Sequence, residues 1–359
     1  MLRAVHYACG AARGGLQRAH LVIVAGGYKG LRKRGGGELH TARSIIEQLN
    51  SLAIHSAPMS TALTYSTFAI AGATGNLGPF IAKELVRRGA TVIILSRSQR
   101  TDIPAGTTVR TIDYDSESSS AKALEGVEVV ISTLSDEAVG SQALLATASK
   151  KAGVKLFVPA YVSTFPAEIK MLTTCSDFGC PAELLPEDHL FFFKRAIHLQ
   201  LRDLGLPYTI FNTGYFSDYI FIPPVGIDIA AKKFAVIGAG DKPVSFTTRE
   251  DIATFVGYTL TQLPRERLEN ATLNVEGEKT SMISIVSVFE KVFGGKFEVE
   301  HRDVKELERK VEKEGFGAAL DAIRLMEEYG YLDVGENNNS LVPNWAPLKV
   351  EEAVRKYFA

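Results

Sequence analysis

The stretch that most constrains this chain is residues 67–78, TFAIAGATGNLG. An apolar β-forming run, Phe68, Ala69, Ile70 and Ala71, enters Gly72, Gly75 and Gly78, and a helical pattern follows at once. A dinucleotide-binding crossover needs that order. The first glycine makes the tight turn off the strand, the second admits backbone close to a pyrophosphate, and the third lets helix and strand pack closely. The helix start then supplies amide donors and a positive dipole end. A second glycine turn, Gly26, Gly27 and Gly30, fails the same test, because Arg34-Gly35-Gly36-Gly37 stops the helix it would need.

Downstream, Leu77, Ile81, Leu85 and Val86 share one helical face, and Gly89 is placed to end that helix. Strand-like runs follow at residues 91–95, 108–112, 127–131 and 155–158, separated by helical patterns ending at Gly126 and Gly153. Apolar strands alternating with helices mean βαβ units and a parallel sheet. The predicted fold class is therefore α/β, a Rossmann-type doubly wound parallel sheet over residues 66–222, including a helix at 188–204 and a strand at 206–211. Pro223-Pro224 marks the start of a smaller mixed α/β lobe, residues 223–359, with some elements returning to the first domain. In it, residues 233–237 and 244–246 read as a hairpin around Gly238 and Gly240. Helices are expected at 249–263, 283–292, 304–314, 316–328 and 349–357, with strands at 273–275 and 297–301.

Residues 1–58 stand apart, with eight Lys or Arg against two acids. Such a basic, acid-poor segment has the composition of an organelle transit peptide. The preferred reading is that Met59 is the true start, because its sequence runs directly into the first strand. The expected location is therefore cytoplasmic, or mitochondrial if 1–58 is a transit peptide. A formal net charge of −1 gives no electrostatic case for nucleic acid or a membrane surface as partner. Cys9, Cys175 and Cys180 cannot build a disulfide framework, and no paired cluster suggests a metal site.

The chemistry is concentrated at strand ends. NAD-binding sheets carry an acid after the second strand, on the ribose hydroxyls. Here that strand ends in Ser96-Arg97-Ser98, and a guanidinium suits the 2′-phosphate of NADP. The common proton relay of a tyrosine with a lysine four residues on is absent, since Tyr161 is followed at that spacing by Phe165. On the helix 188–204, Leu190, Ile197, Leu201 and Leu204 form an apolar stripe that includes Lys194. A lysine so placed must snorkel, find a partner or lower its pKa. The last two states suit a catalytic amine.

In order, GATGNLG, LSR, VVIST, LFVPAY and KRAIHLQLRDLGLPYT (194–209) resemble the NmrA-like and isoflavone reductase-like group of atypical short-chain dehydrogenases. In its reductase branch a lysine stands thirteen residues before the proline of the next strand, as Lys194 does before Pro207. The resemblance implies NADPH as cofactor and Lys194 beside the nicotinamide, as general acid/base or as an orienting group. The expected cofactor site joins Gly72, Thr74, Gly75, Asn76, Leu77 and Gly78 to Ser96, Arg97, Asp113, Ser132, Thr133 and Lys194. Tyr161, Phe165, Tyr215 and Phe216 are expected to shape the pocket of a small aromatic or unsaturated carbonyl substrate. Where the family reads P-S-E-(F/Y)-G, this chain has Pro159-Ala160-Tyr161-Val162-Ser163. That departure leaves open a redox-sensing regulator that binds NADP(H) without turnover, and with it a protein partner or a homodimer.

Overall fold

The computed structural model describes residues 62–134, 139–160 and 194–359. Segment 1–58, Tyr161, Phe165, the three cysteines and the start of the 188–204 helix lie outside the described residues. The part of interest, Thr61–Ala359, forms one compact unit.

Its frame is a five-stranded sheet of β1 (Thr67–Ala71), β2 (Thr91–Ser96), β3 (Thr108–Thr111), β4 (Val129–Ser132) and β5 (Leu156–Val158). All pairs are parallel, in the order β3-β2-β1-β4-β5. An isolated bridge from Phe157 to Tyr208 extends the sheet toward β6 (Thr209–Asn212). The late strand β11 (Ala271–Asn274) then pairs in parallel with β6. Chain order reverses between β1 and β4, and open α/β sheets bind ligands outside the carboxyl ends at such a switch point.

Period-two alternation divides each strand between two cores. Phe68, Ile70, Val92, Ile94, Val129 and Ile131 face one core. There they pack on α1 (Gly78–Arg87) through Ile81 and Leu85, and on α5 (Arg249–Gln262) through Ile252, Phe255 and Val256. Ala69, Ala71, Ile93, Leu95, Val130 and Phe157 face the other. Its covering helices are α2 (Glu117–Ala123), α3 (Val139–Lys151) and α4 (Lys194–Asp203). On α4, Ile197 and Leu201 of the predicted stripe are buried there, and Gln200 Nε2 donates to Ala143 O of α3 at 2.8 Å. A strand buried on both faces must be apolar throughout, which is why these runs show no alternation.

A third core gathers the C-terminal elements around Phe221, Phe234, Phe246 and Phe289. Here β10 (Val244–Thr247) pairs in parallel with β7 (Tyr215–Phe216) and antiparallel with β12 (Glu278–Thr280). Separately, β9 (Lys233–Ile237) pairs with β13 (Glu298–Arg302) and β8 (Ile227–Asp228). The expected hairpin of 233–237 with 244–246 does not form. Gly238 and Gly240, at φ +56° and +67°, turn the chain out of one sheet and into another, and Gly238 N continues the ladder to Arg302 O at 3.0 Å. Both strands still bury Val236, Val244 and Phe246 in the same core. The remaining helices are α6 (Met282–Phe293), α7 (Val304–Glu314), α8 (Ala319–Glu328) and α9 (Val350–Tyr357). Among the described residues no helix is long and apolar enough to cross a membrane.

One buried charge in this core sets a pH dependence. Glu327 on α8 is 3% exposed, and Tyr215 Oη donates to its Oε1 at 3.0 Å. Burial raises its carboxyl to about 7, against the opposing pulls of the Arg324 charge and the Tyr215 hydrogen bond. The folded state therefore holds this proton more tightly than the unfolded chain. The resulting stability is complete below the ordinary glutamate pKa and is lost as pH rises to about 7. Glu327→Gln keeps an acceptor for Tyr215 and cannot ionise. Urea unfolding from about pH 4 to pH 8 should show the native chain losing, relative to this variant, on the order of 3 kcal/mol. Parallel pH profiles would show that Glu327 stays ionised in the fold.

Candidate active site

The site begins where β1 ends. Gly72 takes φ +83°, and a Cβ there would stand 2.3 Å from the carbonyl oxygen of Thr133. Thr133 closes this approach by donating to Ala71 O from both its N–H, at 2.8 Å, and its Oγ1, at 2.9 Å. Gly75 N donates to Gly72 O at 2.9 Å and tightens the loop. At Gly78 a Cβ would meet Ala73 Cα at 2.6 Å and Thr133 Oγ1 at 2.7 Å, so α1 must start on a residue without a side chain. No side chain caps that start: Leu77 is buried, Pro79 follows, and the first turn holds no acid. An uncapped, acid-free helix start behind a glycine loop suits an anionic phosphate.

From this loop a cleft of about 460 Å³ runs to the ends of β2, β3 and β4. It brings together Gly72, Thr74, Gly75, Ser96, Arg97, Asp113 and Thr133 of the expected site. Ser96 Oγ accepts from Ser98 N at 3.4 Å, which curls the chain so that Arg97 stands exposed at the rim. Tyr114 walls the cleft from within, and its hydroxyl donates to Leu95 O at 3.4 Å. Burial pushes that phenol well above its ordinary value, and the Arg97 charge nearby pulls the other way. Asp113 turns the chain into α2: its Oδ1 accepts from Asp115 N at 3.0 Å and its carbonyl accepts from Ser120 Oγ at 3.0 Å. Ser132 lies fully buried at the end of β4 with its Oγ unpaired.

Arg100 also lines this cleft and was not singled out in the sequence. It faces a second hollow of about 560 Å³, lined also by Lys83 and Pro104, and its guanidinium is held by Asp102. Its signal was its place, three residues after Arg97 in a polar strand-end loop. Asn76, Leu77 and Gly78 form the turn beside the cleft rather than its lining. Tyr215 and Phe216 lie elsewhere: as neighbours on β7 their side chains enter different cores, 3% and 5% exposed. Lys194 is the first described residue of α4, which leads into a parallel neighbour of β5, so this end of the helix lies toward the carboxyl end of the sheet, where the glycine loop lies.

The model of the NmrA-like family matches residues 64–353. The chain is 28% identical over 247 residues to eugenol synthase 1 of Petunia hybrida, covering 64% of this chain and 75% of that protein. It is 26% identical over 303 residues to the probable pinoresinol-lariciresinol reductase 3 of Arabidopsis thaliana, covering 79% and 94%. The fold matches that of the leucoanthocyanidin reductase–NADPH complex from Vitis vinifera with a TM-score of 0.67. That match has 19% identity and covers 81% of this chain and 98% of that one.

The tight loop can be tested by pairing two glycines. Gly72 and Gly89 share φ +83°, but a Cβ at Gly89 meets nothing within 4 Å. Gly89→Ala should therefore cost only the left-handed backbone penalty, about 1 kcal/mol. Gly72→Ala adds a clash with a backbone carbonyl and should cost about 3 kcal/mol or more. Denaturation midpoints compare the two. Equal costs would show that Thr133 can withdraw.

Proposed function

The chain belongs to the NmrA-like family, and on that premise we propose that it is an NADPH-dependent reductase of a small aromatic or unsaturated carbonyl compound. One observation carries the reading. A single cleft joins the glycine loop to the exposed Arg97 at the end of β2, where a ribose-binding acid would mark an NAD enzyme. The relatives support the rest: two are reductases by name, and the structure of one of these is a complex with NADPH.

The residues present fit that cofactor. Amide groups of the loop 72–78 and the uncapped start of α1 would hold the pyrophosphate. Arg97, flanked by Ser96 and Ser98, would hold the 2′-phosphate with a fixed charge that deprotonation cannot remove. Ser132 and Thr133 would bound the cofactor where β4 ends. When bound, NADPH supplies hydride to the substrate. Lys194, at the head of α4, supplies or holds the matching proton at the substrate oxygen, or orients substrate and ribose. Tyr161 and Phe165 belong to this proposal as walls of the substrate pocket.

NADPH should bind more tightly than NADH, and Arg97→Ala should remove most of the difference while leaving NADH binding nearly unchanged. A charge-assisted bond to phosphate is worth about ten- to a hundredfold in affinity. Equal affinities of the native chain for the two cofactors, by fluorescence titration, would sink the assignment.

The chemistry is tested at Lys194. Lys194→Met keeps the apolar stem, so stability and NADPH affinity should hold. Turnover on a panel of aromatic and unsaturated carbonyl compounds should fall by roughly 10²–10⁴-fold, as when a general acid or base is lost. Near-full activity in the variant would remove the catalytic role. Tight NADPH binding by the native chain with no turnover across the panel would favour a redox-sensing regulator.

A further inference from the structure

The glycine loop is gripped from outside the cleft by an arginine that the cofactor reading does not use. Arg249 is the first residue of α5, directly after the N-cap Thr248, whose side chain accepts from Asp251 N. Its Nε donates to Asp218 Oδ2 at 2.8 Å and its backbone N–H to Asp218 Oδ1 at 3.1 Å. The Asp218 side chain is fully buried, so this carboxylate depends on Arg249 for its counter-charge. The guanidinium carbon lies over two rings, 5.0 Å from the centroid of Phe80 and 4.9 Å from that of Tyr219. Its Nη1 reaches Asn76 O at 3.5 Å, the outer limit of a hydrogen bond.

Two of these partners belong to the candidate site. Phe80 is in the first turn of α1, and Asn76 is inside the glycine loop. In a planar trans peptide the carbonyl and the next N–H point in opposite directions. Holding Asn76 O therefore sets the direction of the Leu77 N–H, one of the amides at the helix start. We propose that Arg249 is a positioning residue: held by Asp218 and set over the rings of Phe80 and Tyr219, it fixes the Asn76–Leu77 peptide and so aims the amide donors that receive the cofactor pyrophosphate. This rests on the cofactor reading above and adds to it the residue that orients the loop.

The choice of arginine follows from the geometry. One planar fork meets Asp218 through Nε and Asn76 through Nη1 while its carbon stays within 5.0 Å of two ring centroids. A lysine could keep the ion pair but has no second donor arm to reach both acceptors at once in a fixed fork.

The test uses the full chain and two ligands. NADPH carries the pyrophosphate, whereas adenosine 2′-monophosphate engages only the Arg97 end. Arg249→Lys retains the charge that Asp218 needs. It should raise the Kd for NADPH roughly tenfold and leave that for adenosine 2′-monophosphate unchanged. Phe80→Leu keeps both charges and most of the buried volume, and should move NADPH affinity in the same selective direction by a smaller factor. It carries the test if Arg249→Lys does not fold. A fold staple with no aim on the loop would weaken both ligands together, or neither while the melting temperature falls. Either result overturns the role of Arg249. A native chain that binds neither ligand overturns the cofactor reading itself, which separates the two failures.

Discussion

The contact on which the site depends is the one between Gly72 and Thr133. Thr133 donates twice to Ala71 O, once from backbone and once from side chain, and its carbonyl occupies the space where a Cβ of residue 72 would lie. Those bonds tie the carboxyl ends of β1 and β4 at the point where the order of the sheet reverses. The same Oγ1 sits where a Cβ of Gly78 would go. One threonine thus fixes the strand end, the turn and the start of the helix. Neither glycine can carry a side chain without pushing these segments apart.

What holds that geometry in place comes largely from beyond residue 223. The face of the sheet carrying Phe68 and Ile70 is covered by α5 as well as by α1, and β11 returns to pair with β6. Asp251, at the start of α5, also takes a hydrogen bond from Leu348 N, which ties the C-terminal segment to the same helix end. Burial raises the Asp251 carboxyl, while its bonds from Thr248, Leu348 and Trp345 oppose the shift. The later elements are therefore part of the cofactor sheet's support, and Arg249 stands where that support meets the glycine loop.

The parallel sheet was legible in the sequence because strands buried on both faces must be apolar along their interiors, as residues 92–95 of β2 and 129–131 of β4 are. The glycine loop was legible because each glycine answers a separate steric demand. The pairing of β9 and β10 was not. Two strands near in sequence with glycines between them look the same whether they pair with each other or with β13 and β12, since both arrangements bury Val236 and Val244. Tyr215 and Phe216 suggested a pocket because aromatic residues after a strand end can line one, yet in β7 they point to opposite sides into separate cores. Arg249 was invisible for another reason. Its partners Asn76 and Phe80 lie more than 150 residues away, and no local pattern marks a side chain whose role is set by tertiary contact.

The two arginines at the cleft differ in how their charge is held. Arg100 is held by Asp102, with its Nε donating to Oδ1 at 2.9 Å. Arg97 has no hydrogen-bonded partner among the described residues, and its charge is felt by the buried Tyr114 phenol. Arg97 is exposed and its charge is not desolvated, so leaving it unpaired costs the fold little. The pair at Arg100 is also exposed, and such pairs contribute little to stability in water. A phosphate dianion at the rim would therefore meet one arginine already free. It could draw the second from its carboxylate without straining the sheet, because both residues of that pair sit in the loop after β2 rather than in the core. On the proposed reading, discrimination for a second phosphate would lie in a surface loop that the rigid parts of the fold place at the rim of the cleft.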